Sequence, residues 1–428
     1  MGSFISKPAC PQAKRLTQAG VTVLLPPDAE YEARQTSYWS NSAASVRPAC
    51  IARPRNAHEV AAAVKALVGA RGGATAGSGQ RGGGGFEFAV RSGGHMQWAG
   101  ANSSPGGVTI DLGLLAWTRV NEEDETADIG PGALWRDVYA ALELHDSGDG
   151  RKGGEQGSLV VAGGREGNVG VSGLILGGGN TFYTPRRGLS CDNVLAFEVV
   201  LADGCIVTAD AHTHSDLFWA LKGGSNNFGI VTNFKMRTFR SQGVWGGLTF
   251  YPKQVTSQVA TANTWFTATL QNDARIVTKA AELHEELVDT LKQLIPDGDF
   301  WTQCLFQPLP KLIGQRSAEA GGNATGIEYQ DRDGLLFQAA AMVRHKEQEL
   351  LVYPRVKAWM GAVEDFADRI EGGKLDWVYL NYADKSQNPL ASYGEDHVRM
   401  LKDVAARYDP AGVFQDLCTG GFKISHVK

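Results

Sequence analysis

Phe86-Glu87-Phe88-Ala89-Val90-Arg91-Ser92-Gly93-Gly94-His95 is the stretch on which the reading of this chain turns. Residues 86–91 read as a strand, and Ser92-Gly93-Gly94 ends it abruptly. Consecutive small residues after a strand let successive N–H groups converge into a nest for an anion, and a diphosphate suits such a nest. His95 follows at once with a nucleophilic ring nitrogen. A lone histidine is usually a surface or structural residue, but one placed directly after a phosphate-type nest is expected to meet the body of the same ligand.

Working outward, glycine is the compositional outlier: 53 of 428 residues, about 12% against a usual ~7%. Two 17-residue stretches concentrate it. Residues 69–85 carry nine glycines and no apolar side chain larger than alanine, so nothing anchors them to a core and a solvated loop is expected. Gly77-Ser-Gly-Gln-Arg-Gly82 inside it matches GxGxxG in form only, because a helix precedes and a strand follows, the reverse of what a dinucleotide fingerprint needs. Residues 163–179 carry eight glycines interleaved with Val169, Val171, Leu174, Ile175 and Leu176. Those side chains pin the stretch inside the protein. Read alone, it fits either tight turns in a β-rich core or a backbone surface open to a flat ligand.

The first half alternates strands and helices: a strand at 49–53, an Asn56-capped helix to Val68, strands at 86–91 and 108–112, and a helix at 134–144. A hairpin over 193–208, a short helix 216–222 behind a Ser215 cap and a long strand 228–239 follow. Beyond residue 240 glycine thins and longer helices are expected at 279–294 and 348–370, the latter interrupted at Pro354. A strand at 375–382 and a helix at 395–408 close the chain.

Forty-one basic and 46 acidic residues leave a formal charge of −5, which exerts no general pull on nucleic acid or anionic lipid. No apolar run approaches the ~18–20 residues of a membrane span, the longest candidate being the nine residues 335–343. The start has no secretory apolar segment, although Gly2 and Ser6 fit the loose myristoylation pattern. The six cysteines are scattered and read as free thiols, so a cytoplasmic location is expected. His212-Thr-His214 has no further ligand at metal spacing and reads as an exposed turn.

Arg91-Ser-Gly-Gly-His95 resembles the flavin-attachment loop of berberine bridge enzyme-like FAD-linked oxidoreductases, in the vanillyl-alcohol oxidase/PCMH superfamily. The resemblance extends along most of the chain. Tyr38-Trp39-Ser40 and 48–54 are similar to the family's strand entry, and 163–179 to its second flavin loop. Asp192-Asn-Val194, 199–204, 216–221, 223–231, 379–382 and 420–423 are similar in order as well. The fungal secondary-metabolism branch is nearest in flavour.

The resemblance implies an α+β fold: a two-subdomain FAD-binding domain over 1–240, a smaller substrate domain of antiparallel sheet and helices over 241–382, and a C-terminal segment, 383–428, that returns to the first. It implies FAD held by Arg91, Ser92, Gly93, Gly94 and His95, with the 92–94 N–H groups on the diphosphate and His95 bonded to the flavin 8α carbon. Glu166 stands where doubly attached relatives carry cysteine, and a carboxylate cannot make the second bond, so a single attachment is expected. Gly163, Gly164, Val169, Gly170, Ser172, Gly173 and Gly177 would run along the flavin, and Ile230 and Val231 would lie against the adenine. Val169 falls where the family controls oxygen access, and its small size favours reoxidation by O2.

In a strand, Trp377, Tyr379 and Asn381 would share one face and Val378, Leu380 and Tyr382 the other. Tyr379 and Tyr382 are the catalytic candidates, Tyr379 for orienting or deprotonating substrate, and Asn381 is the candidate to touch the isoalloxazine. Trp98 and Tyr183 are candidate pocket walls. The substrate region reads as several strands shorter than the family's, and 69–85 and 145–157 read as additions. The implied activity is an oxidase of a small secondary metabolite, with a redox-neutral or bifunctional cyclase, or an inactive flavoprotein remnant, as the alternatives.

Overall fold

The computed structural model describes residues 10–69, 85–148, 157–243 and 262–428. The myristoylation pattern, almost all of the 69–85 loop with its false fingerprint, and most of the 145–157 insertion lie outside the described residues.

Three sheets carry the chain. The first holds β1 (Val23–Leu24), β2 (Cys50–Ala52), β3 (Phe88–Arg91) and β4 (Val108–Asp111) in the order β1-β2-β4-β3, with β2 and β3 both parallel to β4. Parallel neighbours need a crossover, and the helix Ala57–Val68 supplies it. Asn56 accepts a hydrogen bond from the Glu59 N–H at 2.9 Å, and the Glu59 carboxylate turns back to the Arg55 N–H at 3.0 Å, so the box closes one residue early. Val60, Ala63, Val64 and Leu67, at helical spacing, bury on this sheet.

The second sheet runs β5 (Thr118–Asn121), β6 (Thr126–Ile129), β10 (Ile230–Ser241), β8 (Val194–Val200) and β9 (Ile206–Asp210), with β7 (Ser158–Val161) pairing the far end of β10. Its β8–β9 hairpin turns at Gly204, whose φ of +75° suits glycine. The helix after it, Ser215–Leu221, is not capped by Ser215. It begins behind His214, a left-handed residue, and the Asp210 carboxylate takes the His212 and Thr213 N–H groups.

The third sheet is antiparallel throughout: β12 (Phe300–Leu309), β13 (Gly334–Val343), β11 (Ala262–Gln271) and β14 (Lys374–Leu375), in that order. Phe266, Ala268 and Leu270 of β11 face the helices Ala274–Leu294 and Lys346–Asp368, while Trp265, one step out of phase, faces away towards Trp39. The helix Lys346–Asp368 continues through Pro354 instead of breaking there. Proline removes one helical hydrogen bond, but Val352, Val356, Trp359 and Val363 bury on both sides of it, and that packing holds the axis.

The strand expected over 375–382 is a correction. Only Lys374 and Leu375 pair with β11. Beyond them side chains replace the ladder: Thr269 Oγ1 donates to the Trp377 carbonyl, Ser392 Oγ accepts the Val378 N–H at 3.0 Å, and Leu380–Tyr382 closes as a 3-10 turn. The helix Glu395–Tyr408 falls where expected. After it the chain returns to the first sheet, with the Thr419 N–H on the Phe88 carbonyl at 2.8 Å and Phe414 in that sheet's core. Among the described residues no helix is long and apolar enough to cross a membrane.

Candidate flavin cavity and its tyrosine pair

β3 delivers the 92–95 loop against the 169–173 loop, backbone to backbone. A Cβ on Gly93 would lie 2.7 Å from the Gly170 Cα, and one on Gly170 would lie 2.5 Å from the Gly93 nitrogen. No real Cβ tolerates such contacts, so glycine at both positions is what lets the loops touch. Ser92 Oγ and Ser172 Oγ both donate to the Pro131 carbonyl, at 2.6 and 2.8 Å, so one acceptor ties the two loops. The Trp135 N–H to Val169 carbonyl (3.1 Å) and Val171 N–H to Ala133 carbonyl (3.0 Å) bonds fasten the second loop further.

Between them opens a cavity of about 330 Å³, within the range of small-molecule and cofactor sites. Ser92, Gly93, Gly94, His95, Val169, Gly170, Ser172, Gly173, Ile230 and Val231 all border it, as do Tyr379, Asn381 and Tyr382 from the far end of the sequence. Four residues of the expected set do not. The Arg91 side chain turns away, its guanidinium 3.7 Å from the centre of the Tyr38 ring and bonded to the Arg34 carbonyl at 2.6 Å and Ser37 Oγ at 2.8 Å. Gly163 and Gly164 lie against the Trp135 ring, where a Cβ would overlap it; Gly177 gives the same clearance to Asn381. These glycines serve packing. Trp98 rests on Phe422 and Tyr183 on Phe239, and neither borders the cavity.

His95 stacks on Trp39, centroids 4.7 Å apart, and Trp39 leans in turn on Trp265. Burial pulls the His95 pKa below the ordinary imidazole value, while the Glu166 charge pushes the other way. The ring is therefore neutral near pH 7, with a lone pair available.

The 3-10 turn changes the tyrosine reading. Three residues per turn bring Tyr379 and Tyr382 to one side, with their rings edge to face at 4.8 Å, where strand alternation would have separated them. Tyr379 is 2% exposed and its oxygen accepts the Asn180 N–H at 2.6 Å. Burial, then the neighbouring Tyr382, push its pKa well above the usual phenol value despite Arg165, so it is a poor group to deprotonate substrate and a good one to hold geometry. Tyr382 is half-buried and its oxygen accepts from Arg165 Nη2 at 2.6 Å, with the Gln307 amide 3.3 Å away. Asn381 Nδ2 donates to the Leu174 carbonyl at 3.0 Å, which pins the turn to the helix Val171–Leu176.

Sequence reasoning missed Arg165, Gln307 and Trp265. Arg165 stands inside the glycine-rich stretch, yet its partner is 217 positions away, and nothing local announces that. His212 and His214 lie apart on an exposed turn, and among the described residues no group of three or more His, Cys, Asp or Glu side chains could hold a metal. All six cysteines are free.

The cradle that any Cβ at Gly93 or Gly170 would fill, the small-residue 92–94 loop bordering the cavity and the neutral His95 together fit a flavin dinucleotide. Comparison with known proteins agrees. Residues 48–210 match the FAD binding domain family. The chain is 32% identical to a FAD-dependent monooxygenase of Aspergillus calidoustus, across 98% of this chain and 90% of that protein. It is 37% identical to an uncharacterized FAD-linked oxidoreductase of Arthroderma benhamiae, across 96% and 94% respectively. Among solved structures, the glucooligosaccharide oxidase of Acremonium strictum superposes with a TM-score of 0.64 at 18% identity, covering 96% of this chain and 99% of that one, which establishes the fold. With its PCMH-type α+β architecture, the chain belongs to the berberine bridge enzyme-like family of FAD-dependent oxidoreductases.

Proposed function

We propose that the chain is an oxidase carrying FAD on a single covalent anchor, His95, and acting on an alcohol, amine or ring-adjacent C–H of a small secondary metabolite. The observation that carries this reading is the meeting of the His95 loop and the Arg165–Tyr382 pair on one cavity. Bound FAD supplies the acceptor for a substrate hydride and a donor of electrons to O2.

The rest is work for the chain's own groups. Neutral His95, held flat by Trp39, presents a nucleophilic nitrogen to the cavity. The glucooligosaccharide oxidase is described with both a cysteinyl and a histidyl flavin link; here Glu166 supports one link only, since a carboxylate offers no thiolate. The 92–94 N–H groups suit the diphosphate, and Ile230 and Val231 the adenine. Tyr382, in its tyrosinate form, takes the substrate O–H or N–H proton at its oxygen, and Arg165, whose Nη2 donates to that oxygen, holds it in position. Tyr379 orients substrate, Asn381 seats the flavin ring, and Val169 leaves room for O2. We take 1–240 as the flavin domain, 241–382 as a shortened substrate domain and 383–428 as the returning segment, a division supported by the pairing of Thr419 with Phe88.

The test is direct. Acid-denatured wild-type protein should keep its yellow colour on the polypeptide, and His95→Ala should release it. In a screen of alcohols and amines, turnover should consume O2 and yield hydrogen peroxide. Oxygen from 18O2 appearing in the organic product would make the enzyme a monooxygenase instead, and turnover without O2 uptake would make it a cyclase.

A further inference from the structure

A second cavity, of about 460 Å³, lies apart from the flavin site. It opens between the short helix Thr184–Arg187, the start of β8, the end of helix Ser215–Leu221, β10 and the helix Leu312–Glu319. Arg186, Arg187, Lys222, Arg237 and Arg316 border it, against the carboxylates of Asp192 and Glu319 alone. Neither carboxylate is spare. Asp192 accepts hydrogen bonds from Ser317 Oγ, from Asn323 Nδ2 at 2.8 Å and from the Leu189 N–H at 2.8 Å, and Glu319 pairs with Arg316 at 2.6 Å.

Among the described residues, Arg186, Arg187, Arg237 and Lys222 have no carboxylate at ion-pair distance. Two of them are nonetheless held in place. The Arg187 guanidinium lies 3.6 Å from the centre of the Phe239 ring, and the Lys222 ammonium, on a side chain only 3% exposed, lies 4.3 Å from that of Phe218. Burial and the facing Arg237 pull the Arg187 pKa down, the signature of like charges held together without a counterion. Burial pulls Lys222 down as well, against the upward push of Cys191 and Asp192 nearby. A recess that gathers cations from four elements and leaves most of them without an ion-pair partner is built for an anion.

We propose that this recess binds a small oligophosphate, free or as part of a phosphorylated metabolite. Several anionic oxygens on one compact group match guanidinium forks arriving from both sides, since arginine takes phosphate in bidentate fashion. The occupant is small because Lys222 sits at the buried end, out of reach of a flat macromolecular surface, and because the chain's net charge of −5 repels an extended polyanion. The site also touches the chemistry at one remove. The helix Leu312–Glu319 follows β12 after a two-residue link, and β12 carries Gln307, which contacts Tyr382. An occupant bridging Arg316 to Arg187 and Arg237 braces that strand.

The experiment is calorimetric titration of the FAD-loaded enzyme, in which the flavin site is filled, with tripolyphosphate and separately with ATP at constant ionic strength. Saturable binding of either at one per chain is expected. Tighter tripolyphosphate would assign a free phosphate chain and tighter ATP a phosphorylated metabolite. Arg187→Gln with Arg237→Gln, and independently Lys222→Met, should weaken binding by about tenfold or more, with the flavin absorbance spectrum unchanged as the check on folding. The proposal is overturned if neither probe binds, if sodium chloride at matched strength gives the same heat, or if binding survives both variants.

Discussion

At the residue scale, two glycines and one arginine decide the site. Gly93 and Gly170 face each other so closely that an added methyl on either runs first into the other's backbone. Gly170→Ala is therefore expected to fold yet lose bound flavin, read as the 450 nm absorbance per polypeptide; retention at wild-type stoichiometry would mean the loops have slack. Arg165 donates to the Tyr382 oxygen at 2.6 Å. Tyr382→Phe should lower kcat by ~10²–10⁴, the range for a positioned proton acceptor, with flavin content unchanged. Arg165→Met should lower kcat with flavin content unchanged, while Arg165→Lys restores part of it, since it keeps the charge and loses the fork. A purely structural Arg165 would lower flavin content, and the lysine variant would not recover kcat. The nest and His95 were readable because their chemistry is local: small residues, then a nucleophile. Arg165 was not, because its partner comes from the other half of the chain.

At the element scale, the outcomes divide by whether the signal is local. The Asn56 cap was legible, and Asn56→Ala should cost about 1 kcal/mol in denaturant titration, since its oxygen holds the Glu59 N–H. The 375–382 segment was not legible as a turn. Its apolar alternation suits a strand, but Thr269 and Ser392, distant in sequence, take its backbone groups and release it from the sheet. The segment after helix Glu395–Tyr408 adds a pH effect. Asp409 accepts the Val413 and Phe414 N–H groups at 2.8 and 2.7 Å, yet burial outweighs them and pushes its pKa up to about 6. The folded state then holds a proton that the unfolded state, near 3.9, has released, so stability falls as pH rises from about 4 to about 6 and levels off above. Unfolding free energies at pH 4.5 and 7 should show this decline in the wild type, and Asp409→Asn should flatten it.

At the scale of the whole molecule, the flavin cavity is assembled from loops after β3, the glycine-rich second loop, the entry to β10, the 379–382 turn and the return segment at Phe414 and Gly421. Five stretches spread over more than three hundred residues border one cavity. Binding to the folded state alone stabilises it, so removing FAD from a His95→Ala variant should raise hydrogen exchange in all five together. Loss of protection in the 92–95 loop alone would show that the others stand without the ligand. The chain's own order was enough to declare the nest, the nucleophilic imidazole, the glycine-lined second loop and the alternation of the first half, because each rests on neighbours a few positions apart. Only tertiary structure decided that Arg91, Gly163, Gly164 and Gly177 pack instead of lining the cavity, that the two tyrosines share a side, and that Arg165 serves one of them. Those outcomes depend on which distant backbone or side chain arrives at hydrogen-bond distance, and contacts of that kind leave no mark at either end of the sequence.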